Sequence, residues 1–247
     1  MPLREHLREF RKRIVLAVAG LLVGAVAGWI VYPQVFAFLS APVVELAEET
    51  GRELVLNFGG VATPLDLQIK MSLFVGTLVT APWWIYQLWA FVTPGLTRKE
   101  RRYTIGFVGA AVPLFLAGAV LSWVMIPQAL AILAGFTPDD AANIIEAQVY
   151  LGFIMRLTLA FGAAFLVPVL MVGLTLVGMV RGSTWGTGWR WAVLVAFVFA
   201  AIATPTADVI TMFALAVPIC LLYVGAVALC VGIDRRRDRR QAREESA

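Results

Sequence analysis

Charge, histidine and cysteine are what this chain of 247 residues has little of. Asp, Glu, Lys and Arg make up 15% of it, where soluble domains carry about 25%. The single histidine, His6, is unable to build a metal site alone. The two cysteines, Cys220 and Cys230, stand ten residues apart in one apolar segment. That is roughly 15 Å along a helix, too far for a disulfide. There is no paired-cysteine zinc spacing, no Ser-His-Asp set and no glycine-rich phosphate loop. The sequence therefore offers no nucleophile, base and metal set for an enzyme, and no metal or cofactor is expected.

Apolar residues fill the space that charge leaves. They make up 60% of the chain, and the mean hydropathy is +0.84. Such a composition is that of an integral membrane protein. Apolar runs of about 20 residues predict six spans, at 14–32, 69–92, 103–126, 150–180, 191–203 and 209–233. The expected fold is an all-α polytopic membrane protein, a single six-span domain over 1–247. Residues 2–13 read as an interfacial helix, with Leu3, Leu7, Phe10 and Ile14 on one stripe and charges on the other. Segments 33–68 and 127–149 are expected as extracytoplasmic loops, and 234–247 as a basic cytoplasmic tail. Ala25-Val26-Ala27 has the small-x-small pattern of a signal-peptide cleavage site, but the apolar run continues through Tyr32, so the first span is expected to be retained.

Charge placement sets the orientation. Basic residues cluster before the first span (Arg4, Arg8, Arg11, Lys12, Arg13), in the second-to-third loop (Arg98, Lys99, Arg101, Arg102), at Arg181 and Arg190, and in the tail (Arg235, Arg236, Arg237, Arg239, Arg240, Arg243). These are 17 of the 20 basic residues. The alternate loops hold Arg52 and a run of acids, with Lys70 and Arg156 near or inside spans. By the positive-inside rule both termini are cytoplasmic.

Local signals refine the picture. Thr63-Pro64-Leu65-Asp66 reads as a helix start with threonine as the cap, and Thr137-Pro138-Asp139-Asp140 repeats it ahead of a short helix outside the membrane. Pro82, Pro113, Pro168 and Pro218 fall within spans and are expected to kink them into a concave body. Only 14 residues separate Arg190 from Pro205, roughly 21 Å of helix. That is short of a hydrocarbon core of about 30 Å, and it places the polar turn 204–208 unusually deep.

One acid is out of place. Glu100 sits among four basic residues in "PGLTRKERR", residues 94–102. It either pairs with Lys99, Arg101 or Arg102 to hold the loop, or it receives a cation from elsewhere. Glu9 has a similar choice, with Arg13 four positions on. Trp89 and Phe91 read as an aromatic belt at the end of the second span. Lys70 and Arg156 read as snorkelling residues or as direct participants. Asp208 reads as a cap on the sixth span.

"HLREFRKR" (6–13), "SAP" (40–42), "APWWIYQLWAFVTPGLTRKERR" (81–102), "AFGAAFLVP" (160–168) and "ATPTADV" (203–209) together resemble, in order and spacing, the TatC family, the polytopic core of the twin-arginine protein translocase. The resemblance runs from His6 to the tail. It implies a receptor, not an enzyme, for folded proteins bearing an Arg-Arg signal peptide, in a prokaryotic cytoplasmic (inner) membrane and driven by the proton motive force. The implied signal-peptide site comprises Glu9, Arg11, Arg13, Phe91, Pro94, Gly95, Leu96, Glu100, Arg101 and Arg102. Thr204, Pro205, Asp208 and Met212 are the implied contacts to partner subunits, and Pro42, Pro82 and Pro168 the implied structural prolines. The implied partners are single-span subunits of the TatA and TatB type, the signal peptides, further copies of the chain in a receptor complex, and membrane lipid, with no nucleic acid. The chain departs from the family at three positions. Leu166 replaces a glutamate common within the fourth span, Met212 a glutamine in the sixth, and Val224 a later glutamate. A mechanism that needs an intramembrane carboxylate is thereby put in doubt, and the cytoplasmic site is untouched. A small-molecule transporter is the competing reading. Its usual mid-membrane ionisable groups and internal repeat are not evident.

Overall fold

The structure, a computed structural model, describes residues 3–51, 54–92, 101–135, 143–203 and 209–245. Among them are nine helices and two short strands. The order is α1 (Leu3–Ile30), α2 (Tyr32–Thr50), β1 (Leu54–Asn57), α3 (Thr63–Val79), α4 (Ala81–Val92), α5 (Arg101–Ala134), β2 (Asn143–Glu146), α6 (Ala147–Val177), α7 (Gly182–Thr187), α8 (Trp189–Ala203) and α9 (Val209–Glu245). Four described helices are long and apolar enough to cross a membrane, over Arg4–Ile30, Ile105–Ala131, Ala147–Val177 and Ala216–Arg239, and a shorter apolar helix covers Trp189–Ile202. Their outward faces are apolar: Val23, Ile105, Trp191 and Ile202 are each at least 70% exposed. Such a surface is stable in lipid and not in water. The chain is a polytopic helical membrane protein.

The chain divides into two compact units, Met1–Pro94 with Leu116–Phe161, and Gly95–Phe115 with Gly162–Ala247. In the first, α1 runs antiparallel to α3 and α4. Gly20, Gly24 and Gly28 recur every fourth residue and so share one face of α1. A Cβ on Gly24 would stand 3.0 Å from the Gly76 Cα, and one on Gly28 2.5 Å from the Ser72 carbonyl oxygen. Small residues let the two backbones approach in lipid, where no hydrophobic force drives helices together. α5 and α6 are joined by Ser122 Oγ donating to Thr158 Oγ1 at 2.9 Å, both buried. Phe38 of α2 stacks on Trp123 of α5, and the Tyr150 hydroxyl of α6 donates to the Leu39 carbonyl.

The expected second span is two helices. α3 ends at Val79, and Thr80 (φ −90°, ψ 12°) separates it from α4. Pro82, second residue of α4, has no N–H to continue the ladder. The carbonyls near the break find other donors: the Thr80 hydroxyl to Gly76 O at 2.7 Å and Trp84 Nε1 to Thr77 O at 2.9 Å. Pro82 thus marks a break, where a kink was expected, while Pro168 and Pro218 lie within continuous α6 and α9 and Pro42 lies buried inside α2.

Other expectations meet a different local structure. Residues 3–13 are continuous with the apolar part of α1, and most of 33–68 is helical as α2 and α3. Thr63 is not the cap of α3: Ala62 holds that position with no side-chain cap bond. Asp66 instead accepts from Lys70 Nζ at 2.6 Å and from Gln148 Nε2 at 2.7 Å. Residues 137–140, expected to start a helix, lie outside the described residues. β2 immediately precedes α6 and pairs in parallel with β1, Leu54 with Asn143 through Asn57 with Glu146. Both strands therefore lead into their helices, α3 and α6, at one end.

In the second unit, α7 packs on α9. A Cβ on Gly182 would lie 2.5 Å from the Cys230 carbonyl carbon, so only glycine permits the approach. The Gly182 N–H donates to Asp234 Oδ2 at 2.5 Å, and the Tyr223 hydroxyl to the Trp185 carbonyl at 2.5 Å. Gly178, with φ +82°, ends α6 in the left-handed region. Cys220 and Cys230 are both free.

Candidate functional site

Glu9, Arg13 and Phe91, three of the implied recognition residues, meet where the first turns of α1 approach the last turns of α4. Trp83 fixes the register from below, its Nε1 donating to the Leu16 carbonyl of α1 at 2.8 Å. One turn further along α4, Gln87 is only 2% exposed. Its Oε1 accepts from Arg13 Nη1 at 2.9 Å. A guanidinium has donors only, so the amide must present its oxygen. Arg13 Nε then donates to Glu9 Oε1 at 2.7 Å. A buried amide thus orients an arginine, which orients a carboxylate. The Arg13 and Glu9 side chains are 24% and 34% exposed.

Aromatic rings complete the face. Phe91 stacks on His6 with centroids 4.7 Å apart and lies 4.9 Å from Phe10. Phe10, Ile14, Ala17, Trp84, Leu88 and Phe91, with Arg13 and Gln87, line a largely apolar cleft of about 140 Å³. The surface therefore offers a carboxylate beside an apolar recess. That pairing suits a peptide that carries a cation and then an apolar stretch.

Glu9, Arg13 and Phe91 are brought together; Arg11 is exposed on the same helix. Pro94, Gly95, Leu96 and Glu100 lie outside the described residues. Arg101 and Arg102 open α5, with side chains outside the description. Of the implied partner contacts, Thr204, Pro205 and Asp208 lie outside the described residues, and Met212 is half-buried early in α9. Two residues were not anticipated, Gln87 and His6. Gln87 sits in the quoted "WIYQLWAF" run, where a lone amide among apolar neighbours is the available signal. His6 opens the "HLREFRKR" motif, but nothing in the sequence places its ring against Phe91. Among the described residues no group of His, Cys, Asp and Glu is placed to hold a metal.

A polytopic helical membrane protein with a polar and aromatic face at one helix end is the class defined so far. Residues 5–218 match the family model for the Sec-independent protein translocase protein TatC. The chain is 55% identical over 242 residues to the TatC protein of Xylanimonas cellulosilytica, covering 98% of this chain and 88% of that one. It is 37% identical to that of Rothia mucilaginosa, covering 98% and 83%. Its structure resembles the crystal structure of the twin-arginine translocase receptor TatC, with a TM-score of 0.77, 31% identity, and coverage of 91% of this chain and 97% of that one. This chain belongs to the TatC family and is a subunit of the Sec-independent twin-arginine translocase, a protein transporter and not an enzyme.

Proposed function

We propose that this subunit recognises Arg-Arg signal peptides at the face formed by α1 and α4, and nucleates the complex that moves folded proteins across the prokaryotic cytoplasmic membrane. The observation that carries the reading is the Glu9–Arg13–Gln87 chain. Glu9 already holds a guanidinium, through one carboxylate oxygen. Its other oxygen accepts from no described residue, and the apolar cleft lies against the same arginine. A planar guanidinium engages a carboxylate through two parallel bonds, which an ammonium does not reproduce. Two adjacent arginines need two such acceptors. Glu9 is one, and Glu100, between α4 and α5 in sequence, is the other. Arg11, Arg101 and Arg102 repel misplaced cations, and Pro94, Gly95 and Leu96 belong with Glu100 to the residues that bind the peptide.

The topology that goes with this function has six crossings: α1, the broken pair α3–α4, α5, α6, α8 and α9, with both termini cytoplasmic. Its support is the placement of 17 of 20 basic residues. Single-span partners of the TatA and TatB type engage near Thr204, Pro205, Asp208 and Met212, and the proton motive force drives transport.

The test is binding of a fluorescent Arg-Arg signal peptide to the protein in lipid nanodiscs, with a Lys-Lys peptide as control. Glu100→Gln and Glu9→Gln should each abolish the preference for arginine while the protein remains folded. Equal binding of the two peptides to the unaltered protein overturns the reading.

A further inference from the structure

The end of the first unit at which β1 and β2 enter their helices holds a second groove, of about 830 Å³. That volume is in the range of sites that hold organic ligands, about 300–1,000 Å³. Its walls are apolar, with Leu21 of α1, Leu73 and Phe74 of α3, and Met155 and Leu159 of α6. Three charged groups also line it: Lys70, Glu146 and Arg156. Lys70 is compensated by Asp66 at 2.6 Å. Arg156 and Glu146 are exposed, and neither has an ion-pair partner among the described residues. Arg156 stands nine residues into the apolar helix α6, roughly 13 Å from its start. Its Nε donates to the Gly152 carbonyl at 2.9 Å, so the side chain turns back towards the strand end, where Glu146 lies. A guanidinium at that depth in a membrane protein calls for an anion, and the carboxylate on the same groove calls for a cation.

We propose that this groove is a phospholipid site with a zwitterionic, primary-ammonium headgroup. Arg156, with Lys70 beside it, takes the phosphate. Glu146 takes the ammonium. An acyl chain lies along Leu73, Met155 and Leu159. A phosphate is the anion a bilayer supplies at the interface, and a guanidinium meets it through two parallel bonds. An anionic headgroup without an ammonium satisfies Arg156 and leaves Glu146 facing added negative charge. An apolar helix from a partner satisfies neither. The site stands apart from the signal-peptide face and does not depend on it.

The experiment is native mass spectrometry of the full chain, delipidated in detergent and titrated with single lipids. The probes are dioleoyl phosphatidylethanolamine, dioleoyl phosphatidylglycerol, dioleoylglycerol and free phosphoethanolamine. Phosphatidylethanolamine should bind with the highest affinity, and dioleoylglycerol and phosphoethanolamine should not compete with it. Arg156→Gln should weaken both phospholipids about tenfold, the loss of one charge-assisted contact. Glu146→Gln should weaken phosphatidylethanolamine alone. Leu159→Trp fills the chain path, leaves every charge in place, and should weaken both phospholipids. Circular dichroism of each variant establishes that it is folded. The proposal is overturned if dioleoylglycerol binds as well as phosphatidylethanolamine, if folded Arg156→Gln binds as before, or if Glu146→Gln leaves the preference between the two phospholipids unchanged.

Discussion

The approach of α1 to α3 is close enough that a single methyl group should be felt. Gly28→Ala places a Cβ 2.5 Å from the Ser72 carbonyl oxygen, 2.9 Å from its Cα and 3.1 Å from its carbonyl carbon. Ordinary contact begins at 3.4 Å. All three neighbours are backbone atoms of a helix, so no rotamer change relieves them. The helices must part by about 0.9 Å, and a gap of about 0.5–1 Å forfeits a quarter to a half of each contact it opens. Overpacking of this kind costs about 1–3 kcal/mol. Alanine also improves the helix by about 0.5–1 kcal/mol over glycine, which masks part of the loss. Gly225→Ala in α9 supplies the correction, because a Cβ there meets nothing within 4 Å. The difference between the two variants should therefore be about 1–3 kcal/mol, with Gly28→Ala the less stable. Reversible unfolding by SDS in mixed micelles, followed by tryptophan fluorescence, measures it. Equal stability of the two variants, within about 0.5 kcal/mol, would show that the crossing is not built on close backbone contact.

Three further outcomes follow from the same structure. Ser122→Ala removes the donor to Thr158, a buried polar pair between α5 and α6; it should cost about 0.6–1.7 kcal/mol, and a double-mutant cycle with Thr158→Val should return most of that as coupling. Asp234→Ala deprives the Gly182 N–H at the start of α7 of its acceptor; thermal unfolding should show a loss of about 1 kcal/mol, largely restored in Asp234→Asn. Glu9→Gln weakens a partly exposed pair with Arg13 and should change stability by less than about 1 kcal/mol; any larger loss of Arg-Arg peptide binding, measured against a melting curve of the same sample, then belongs to recognition and not to folding.

The apolar composition, the helical class and the long spans were legible in the sequence because burial in lipid demands unbroken apolar runs, and α5, α6 and α9 follow those runs closely. The glycines at 20, 24 and 28 are equally visible, but a stripe of small residues states that something comes close without stating what. The break at Thr80 needed knowledge of α1: Trp83 Nε1 reaches the Leu16 carbonyl only because α4 is set against that helix. β1 and β2 were missed because each is four residues long and finds its partner almost ninety positions away. At the face where α1 meets α4, Glu9, Arg13 and Phe91 are legible from the family resemblance, whereas Gln87 is not, since an amide among aromatics acquires meaning only when the guanidinium it holds is seen beside it.

The placement of polar groups in the first unit also bears on the departures at Leu166, Met212 and Val224. Polar side chains in that unit gather towards helix ends: Glu9, Arg13 and Gln87 where α1 begins and α4 finishes, and Asp66, Lys70 and Gln148 where α3 and α6 begin, with Arg156 nine residues into α6 and turned back towards its start. The stretch between is held by glycine contacts and by the Ser122–Thr158 hydroxyl pair, which are uncharged. In the second unit Leu166 is buried, Met212 is half-buried and Val224 is 63% exposed on α9. A carboxylate at 166 would be enclosed by protein and would need a partner, whereas one at 224 would face whatever surrounds the helix. The two substitutions therefore differ in kind. Leu166 is consistent with its packed surroundings, and restoring a glutamate there by itself should destabilise the fold, by the several kcal/mol that an unpaired buried charge costs, or else remain protonated. Val224→Glu should be tolerated in detergent and penalised in lipid. A comparison of Leu166→Glu and Val224→Glu unfolding in the two media separates these cases, and a Leu166→Glu variant as stable as the unaltered chain in both would show that the buried segment holds a polar partner for the carboxylate.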